Sequence, residues 1–187
     1  MTEDGGRTAR LVVEPLGLPH AAGLFAALDD PRVGEHIGGP DVTTLPALEG
    51  RIARLLEGAP AGSGWVFRNW VMRLDGTIVG RLEATLHDGL VEVAYLLGPH
   101  WWGHGYATEG TAWMLDRLAA EEAGDAWACV APANLRSAAL LGRLGFTETD
   151  PTGVPLLSWD PGDRAFRRPA GGAVGHHRDQ RKGRAGS

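Results

Sequence analysis

The chain has a single cysteine, Cys129, among its 187 residues. One thiol excludes an internal disulfide framework and any metal site built from several cysteines. Lysine is nearly absent as well. Lys182 is the only one, and arginine, alanine and glycine stand in for it, a pattern of GC-rich coding more than of mechanism. No apolar run is long enough to cross a bilayer. The first ten residues are polar and lack the apolar stretch of a signal peptide. These absences lead to the expectation of a cytoplasmic protein with no membrane partner. What is present fits a globular chain. The hydrophobic fraction is 43%, which argues against global disorder, and the length suits one domain.

Charge is distributed unevenly. From Arg164 to Ser187 there are seven Lys/Arg and one Asp, a net of +6 against −5 for the whole chain, so the remainder carries −11. An acidic body argues against a nucleic-acid partner and for a cationic acceptor such as an amine. Acidity also simply keeps a protein soluble. His176 and His177 lie in the basic tail without the preformed geometry of a metal site, and no metal is expected.

Hydrophobic spacing organises the chain. Arg10 to Glu14 alternates as a short strand. His20 to Leu28 and Leu45 to Leu56 have helical spacing. Trp65 to Leu74, Thr77 to Leu86 and Leu90 to Leu97 read as strands joined by Asp75-Gly76 and Asp88-Gly89 hairpin turns. Thr108 to Glu121 is a helix, Ala126 to Ala131 a strand, and Asn134 to Leu144 a helix closed by Gly145. Phe146 to Thr149 and Leu156 to Trp159 are candidate closing strands. Residues 1–9 are expected to be a flexible N-terminus, 10–160 the folded domain, and 161–187 a disordered, basic, Gly/Arg-rich tail. Hairpins followed by alternating helices and strands imply an α/β (α+β) fold, a mixed sheet covered by helices.

A helix that starts directly after a glycine-bearing turn is an anion site, because its first N–H groups lack intrahelical partners and the macrodipole adds positive charge. Trp102-Gly103-His104-Gly105-Tyr106-Ala107-Thr108 is such a turn. A glycine pair can equally be no more than a tight strand-to-helix connection. A phosphate loop of the G-x-x-x-x-G-K-[ST] type is excluded, since no lysine is present there. A dinucleotide fingerprint is excluded because Thr108 occupies its third glycine position.

The stretch from Tyr95 to Glu109 resembles the acetyl-CoA signature of the GNAT N-acetyltransferases, and within them the RimJ/RimL-like branch, where W-G-x-G-Y-A-T-E follows a strand. Gly105 and Ala107 match the general [QR]-x-x-G-x-[GA] pattern, and Trp102 replaces its Gln or Arg. A second match follows in order: Asn134, Ser137 and then Leu144-Gly145-Phe146 resemble the N-x-x-S…LGF elements of the same branch. The similarity runs from Arg10 to Trp159.

The resemblance implies a mostly antiparallel sheet splayed between its fourth and fifth strands, Leu90 to Leu97 and Ala126 to Ala131. It implies acetyl-CoA as cosubstrate, with the pantetheine arm on the backbone of Tyr95, Leu96 and Leu97. The diphosphate would lie on Trp102, Gly103, His104, Gly105, Tyr106, Ala107 and Thr108, and Asn134 and Ser137 would flank the arm. One backbone N–H of that strand would stabilise the thioester oxyanion. Glu92, on the strand beside the thioester, is the first candidate base and Glu83 the second. Each can equally be a solvated strand carboxylate. His87, at the hairpin, is expected to be exposed. Many GNAT enzymes place an acidic tyrosine where this chain has Leu141, so Ser137 is the substitute acid. Cys129 sits within an apolar strand and is expected to be inert. The resulting expectation is an acyltransferase acting by direct attack of a primary amine: a protein N-terminus, an amino acid or a small amine. Val33 to Pro60 and the first hairpin would shape the acceptor pocket. The alternative of another class is a non-catalytic acyl-CoA-binding sensor or interaction protein of the same fold. A homodimer is expected only because the branch often forms them.

Overall fold

A computed structural model describes residues 5–37, 39, 43–121 and 123–171. Its strands are β1 (Gly6–Arg7), β2 (Val12–Pro15), β3 (Val66–Leu74), β4 (Thr77–His87), β5 (Leu90–Leu97), β6 (Asp125–Val130), β7 (Thr147–Glu148) and β8 (Arg164–Arg168). The helices are α1 (Ala21–Leu28), α2 (Pro31–Gly34), α3 (Leu45–Glu57), α4 (Tyr106–Ala120) and α5 (Leu135–Arg143). All eight strands form one sheet in the order β1-β2-β3-β4-β5-β6-β8-β7.

The two aspartate–glycine turns set the register of its centre. Asp75 and Gly76 have φ of 48° and 82°, and Asp88 and Gly89 of 48° and 75°. Positive φ at both central residues matches the right-handed twist of a two-residue hairpin. β3, β4 and β5 therefore pair as an antiparallel meander. α4 then carries the chain across to β6, whose pairing with β5 is parallel.

Apolar residues cover both faces. Trp70, Met72, Leu82, Val91 and Val93 pack with Met114 and Leu115 of α4 and Leu140 and Leu141 of α5. On the other face Val71 and Ile78 pack with Leu24 and Leu28 of α1 and Leu48 and Ile52 of α3. Trp113 stands edge-on to Trp70, 5.5 Å between centroids. Trp70, Met72, Leu82 and Met114 are among the largest fully buried side chains, and such burial supplies most of the stability at about 25 cal/mol per Å² of apolar surface.

The ladder between β5 and β6 is short. It runs from Leu90↔Asp125 to Glu92↔Trp127 and stops. From Val93 onward β5 no longer pairs with β6, so the two strands diverge. This is the expected splay.

Three boundaries differ from the sequence reading. Residues 164–168 are not tail: β8 pairs with β6 along its whole length, burying Ala165 and Phe166. Arg164 and Arg167 reach Glu148 and Asp125, so arginines that look like a solvated run are paired on the strand. Leu156 to Trp159 is not a strand. The N–H groups of Leu157 and Ser158 bond the carboxylate of Glu92 instead of a neighbouring backbone. The N-terminus is anchored from Gly6, which pairs with Val13 and packs so closely on Trp113 that a side chain there would collide with the indole. His176 and His177 lie outside the described residues.

Candidate functional site

The divergence of β5 and β6 opens a cleft of about 670 Å³. Tyr95, Leu96, Leu97, Trp102, Ala107, Asn134 and Ser137 line one part of it, and Arg81, Glu83 and the segment around Val33 to Ile37 line another. Part of the predicted acceptor region thus meets the predicted donor residues in one space.

On the donor side, α4 begins at Gly105, whose φ of 83° is left-handed. No side chain caps this terminus, so the first-turn N–H groups face the turn unmet by protein side chains. Gly103, also left-handed at 81°, has nothing within 4 Å of where a Cβ would sit. Glycine at both positions avoids the strain other residues would meet there. The turn is braced from behind. Glu109 accepts from Thr8 Oγ1 (2.5 Å), Arg10 N (2.8 Å) and Arg10 Nε (2.7 Å). Arg10 also donates to the His104 carbonyl (2.9 Å) and lies over the Tyr106 ring. His104 and Tyr106 therefore engage this N-terminal brace, while Trp102 and Ala107 line the cleft. Burial would raise the Glu109 carboxyl, but its bonds to Thr8 and Arg10 outweigh that and hold it below the usual range.

Trp102 is fixed by its indole N–H, which donates to the Leu97 carbonyl at 2.8 Å. Asn134 caps α5: its side chain accepts from the Ser137 N–H at 3.0 Å. That cap fixes the first turn and presents the Ser137 hydroxyl beside β5. There it shares a 2.6 Å hydrogen bond with the hydroxyl of Tyr95. Burial pushes the Tyr95 phenol up to about 12, with the bond to Ser137 and the charge of Arg143 pulling the other way. Tyr95 thus stays protonated and backs Ser137 with a donor. The sequence reading named Tyr95 for its backbone; the pairing of its hydroxyl was missed, because forty-two residues separate the partners and no local pattern signals it. Leu141 is fully buried, so the usual position of the acidic tyrosine is core in this chain.

The two candidate bases separate. Glu92 is not in the cleft. Its carboxylate is buried and accepts from His87 Nε2 (2.7 Å), Leu157 N (2.5 Å), Ser158 N (2.9 Å) and the Ser158 hydroxyl. A carboxylate so engaged fastens the 154–159 loop to the sheet and has no route to an amine. His87 is correspondingly not exposed but buried, its other ring nitrogen 3.1 Å from Asp88. Glu83 does line the cleft, where Arg51 approaches at 2.9 Å and Arg81 at 3.1 Å. Cys129 also lines the cleft. Burial raises its thiol to about 11, with Ser158 lowering it and Glu92, Asp163 and Asp160 adding to the rise, so it remains a thiol near neutrality.

A coenzyme A thioester fits these residues by shape and donor chemistry. The open β5 edge offers unpaired backbone to an extended amide arm, and the uncapped, glycine-bearing turn offers N–H donors to phosphate.

Comparison with known proteins agrees. The family model described as an acetyltransferase (GNAT) domain matches residues 10–147. No curated protein matches the sequence. Solved structures share the fold. RimJ from Mycobacterium smegmatis, solved with a CoA-disulfide, is 20% identical with a TM-score of 0.71, covering 89% of this chain and 87% of that one. A RimL ribosomal-protein acetyltransferase solved with coenzyme A is 14% identical with a TM-score of 0.66, covering 89% and 98%. An acetyltransferase from Agrobacterium tumefaciens is 24% identical with a TM-score of 0.67, covering 90% and 95%.

Proposed function

The chain belongs to the GNAT acetyltransferase family, and from that premise we propose that it transfers acetyl from acetyl-CoA to a primary amine by direct attack. Acetyl-CoA is the donor this family uses, and it supplies the activated acyl group. The observation that carries the reading is the single cleft at the splay, with the Tyr95–Ser137 hydroxyl pair on its α5 side and Glu83 on its α3 side.

The chain's own groups divide the work. The open edge of β5 and the turn at Gly103 to Ala107 bind and orient the donor, so that the reacting carbon is presented at the centre of the sheet. Glu83 takes the proton of the amine, directly or through a water, and Arg51 and Arg81 hold its carboxylate in position. Ser137 delivers a proton to the departing sulfur and regains one from solvent, its hydroxyl held in place by the bond to Tyr95, which keeps its own proton. The raised thiol of Cys129 speaks for direct transfer over an acetyl-cysteine route.

The acceptor is a protein N-terminus, an amino acid or a small amine. The name of the RimL neighbour makes a ribosomal-protein N-terminus one arm of the test, without making it the expected substrate. The experiment mixes the protein with acetyl-CoA and a panel of peptides, amino acids and polyamines, and follows thiol release with a chromogenic disulfide. Amine-dependent release supports the proposal. Tight binding of acetyl-CoA with no release on any amine favours the non-catalytic acyl-CoA binder. No thermal shift with acetyl-CoA defeats both.

A further inference from the structure

Trp102 stands where the acetyl-CoA signature usually carries glutamine or arginine, so the cation or amide normally placed at the start of the turn is missing. A cation is nevertheless there. The guanidinium of Arg136, near the start of α5, lies over the Trp102 indole at 4.4 Å from its centroid. Both residues line the cleft, and the stack joins the segment before α4 to α5 across it. The platform is rigid because the indole is tied to the Leu97 carbonyl.

Arg136 is exposed, and among the described residues it makes no hydrogen bond or ion pair. Stacking uses the face of a guanidinium and leaves its in-plane N–H donors available. Arg10, the other arginine against the turn, differs in this respect: its donors go to Glu109 and the His104 carbonyl. The uncommitted positive charge at this end of the cleft therefore comes from α5.

We propose that Arg136, held flat on Trp102, is a phosphate-binding residue of the donor site that replaces, from another helix, the polar group missing at position 102. Its ligand is a phosphate of the nucleotide end of coenzyme A. This rests on the reading of the cleft as the acetyl-CoA site. Planar, bidentate pairing with a phosphate is what a stacked guanidinium is shaped for.

The test is calorimetric titration of acetyl-CoA into the wild type, Arg136→Gln and Arg136→Lys, at low and raised salt, with melting temperatures recorded for each. Arg136→Gln is expected to weaken binding about tenfold at low salt. The gap should narrow as salt rises, and Arg136→Lys should keep most of the affinity. Titration of 3′-dephospho-CoA locates the phosphate. A substitution that costs nothing with that ligand places Arg136 on the 3′-phosphate, and an unchanged cost places it on the diphosphate. Wild-type affinity in Arg136→Gln overturns the proposal. So does an equal, salt-independent loss in both variants, which would mean that Arg136 only packs on Trp102. Failure of the wild type itself to bind acetyl-CoA brings down the donor-site reading and this proposal together, and is recognisable because it precedes any substitution.

Discussion

At the residue scale, the hydroxyl pair and the two glutamates make separable claims. Ser137→Ala should lower kcat by about 10²-fold, the lower end of what a positioned proton donor contributes, while leaving the Kd for acetyl-CoA unchanged. Equal turnover in that variant would remove Ser137 as the acid. Glu83→Gln should likewise lower kcat, because the amide cannot take a proton, with a smaller loss of stability than Glu92→Ala because the amide oxygen can still accept from Arg51 and Arg81. Glu92→Ala should behave in the opposite sense. It strips partners from His87 and from the N–H groups of Leu157 and Ser158, so it should cost about 3–5 kcal/mol of stability, read from chemical denaturation. A stable Glu92→Ala protein with no turnover would reverse the two assignments. The sequence ranked Glu92 ahead of Glu83, and the structure reverses that order. What separated them was the 154–159 loop, which returns from more than sixty residues away to cover one carboxylate and leave the other in the cleft.

At the scale of elements, α4 is both the proposed binding surface and a joint. Its glycine turn is left uncapped by side chains, and its first-turn Glu109 ties down the chain from Thr8 to Arg10. The Glu109 carboxyl is held below its unfolded value, so its contribution is complete above the ordinary glutamate range and fades as pH falls through the folded value. Glu109→Gln should lower the melting temperature at neutral pH by an amount corresponding to about 1 kcal/mol. The difference from wild type should shrink under acid conditions. A difference that stays constant with pH would mean that the brace does not depend on the charge. The hairpin turns and the helices flanking the cleft were legible in the sequence, because their signals are local: an aspartate–glycine pair, an asparagine cap, a 3.6-residue apolar spacing. The brace was not, since Thr8, Arg10 and Glu109 carry no pattern until the fold brings them together.

At the scale of the whole molecule, β8 decides where the domain ends. A strand of Arg164-Ala165-Phe166-Arg167-Arg168 has too little apolar alternation to stand out beside a basic tail. It is nevertheless covered on both faces, and it closes β6 against a free edge. Phe166→Ala should therefore destabilise the protein by about 3–5 kcal/mol, as expected for emptying a buried aromatic site, measured as a shift in denaturation midpoint. A negligible effect would return these residues to the tail. The same sheet makes the site, because the β5–β6 ladder ends after Glu92↔Trp127 and the cleft exists only where pairing stops.

The sequence by itself determined the family, the glycine turn before α4 and most of the elements, since each is encoded in a contiguous stretch of characteristic spacing and residue type. The tertiary structure alone decided which carboxylate reaches the cleft, that Tyr95 backs Ser137, that Arg136 rests on Trp102, and that the sheet continues to Arg168. Each of these is a meeting of residues distant in the chain. Their burial and partners depend on how strands are ordered and where one ladder ends, and nothing in a local stretch carries that information.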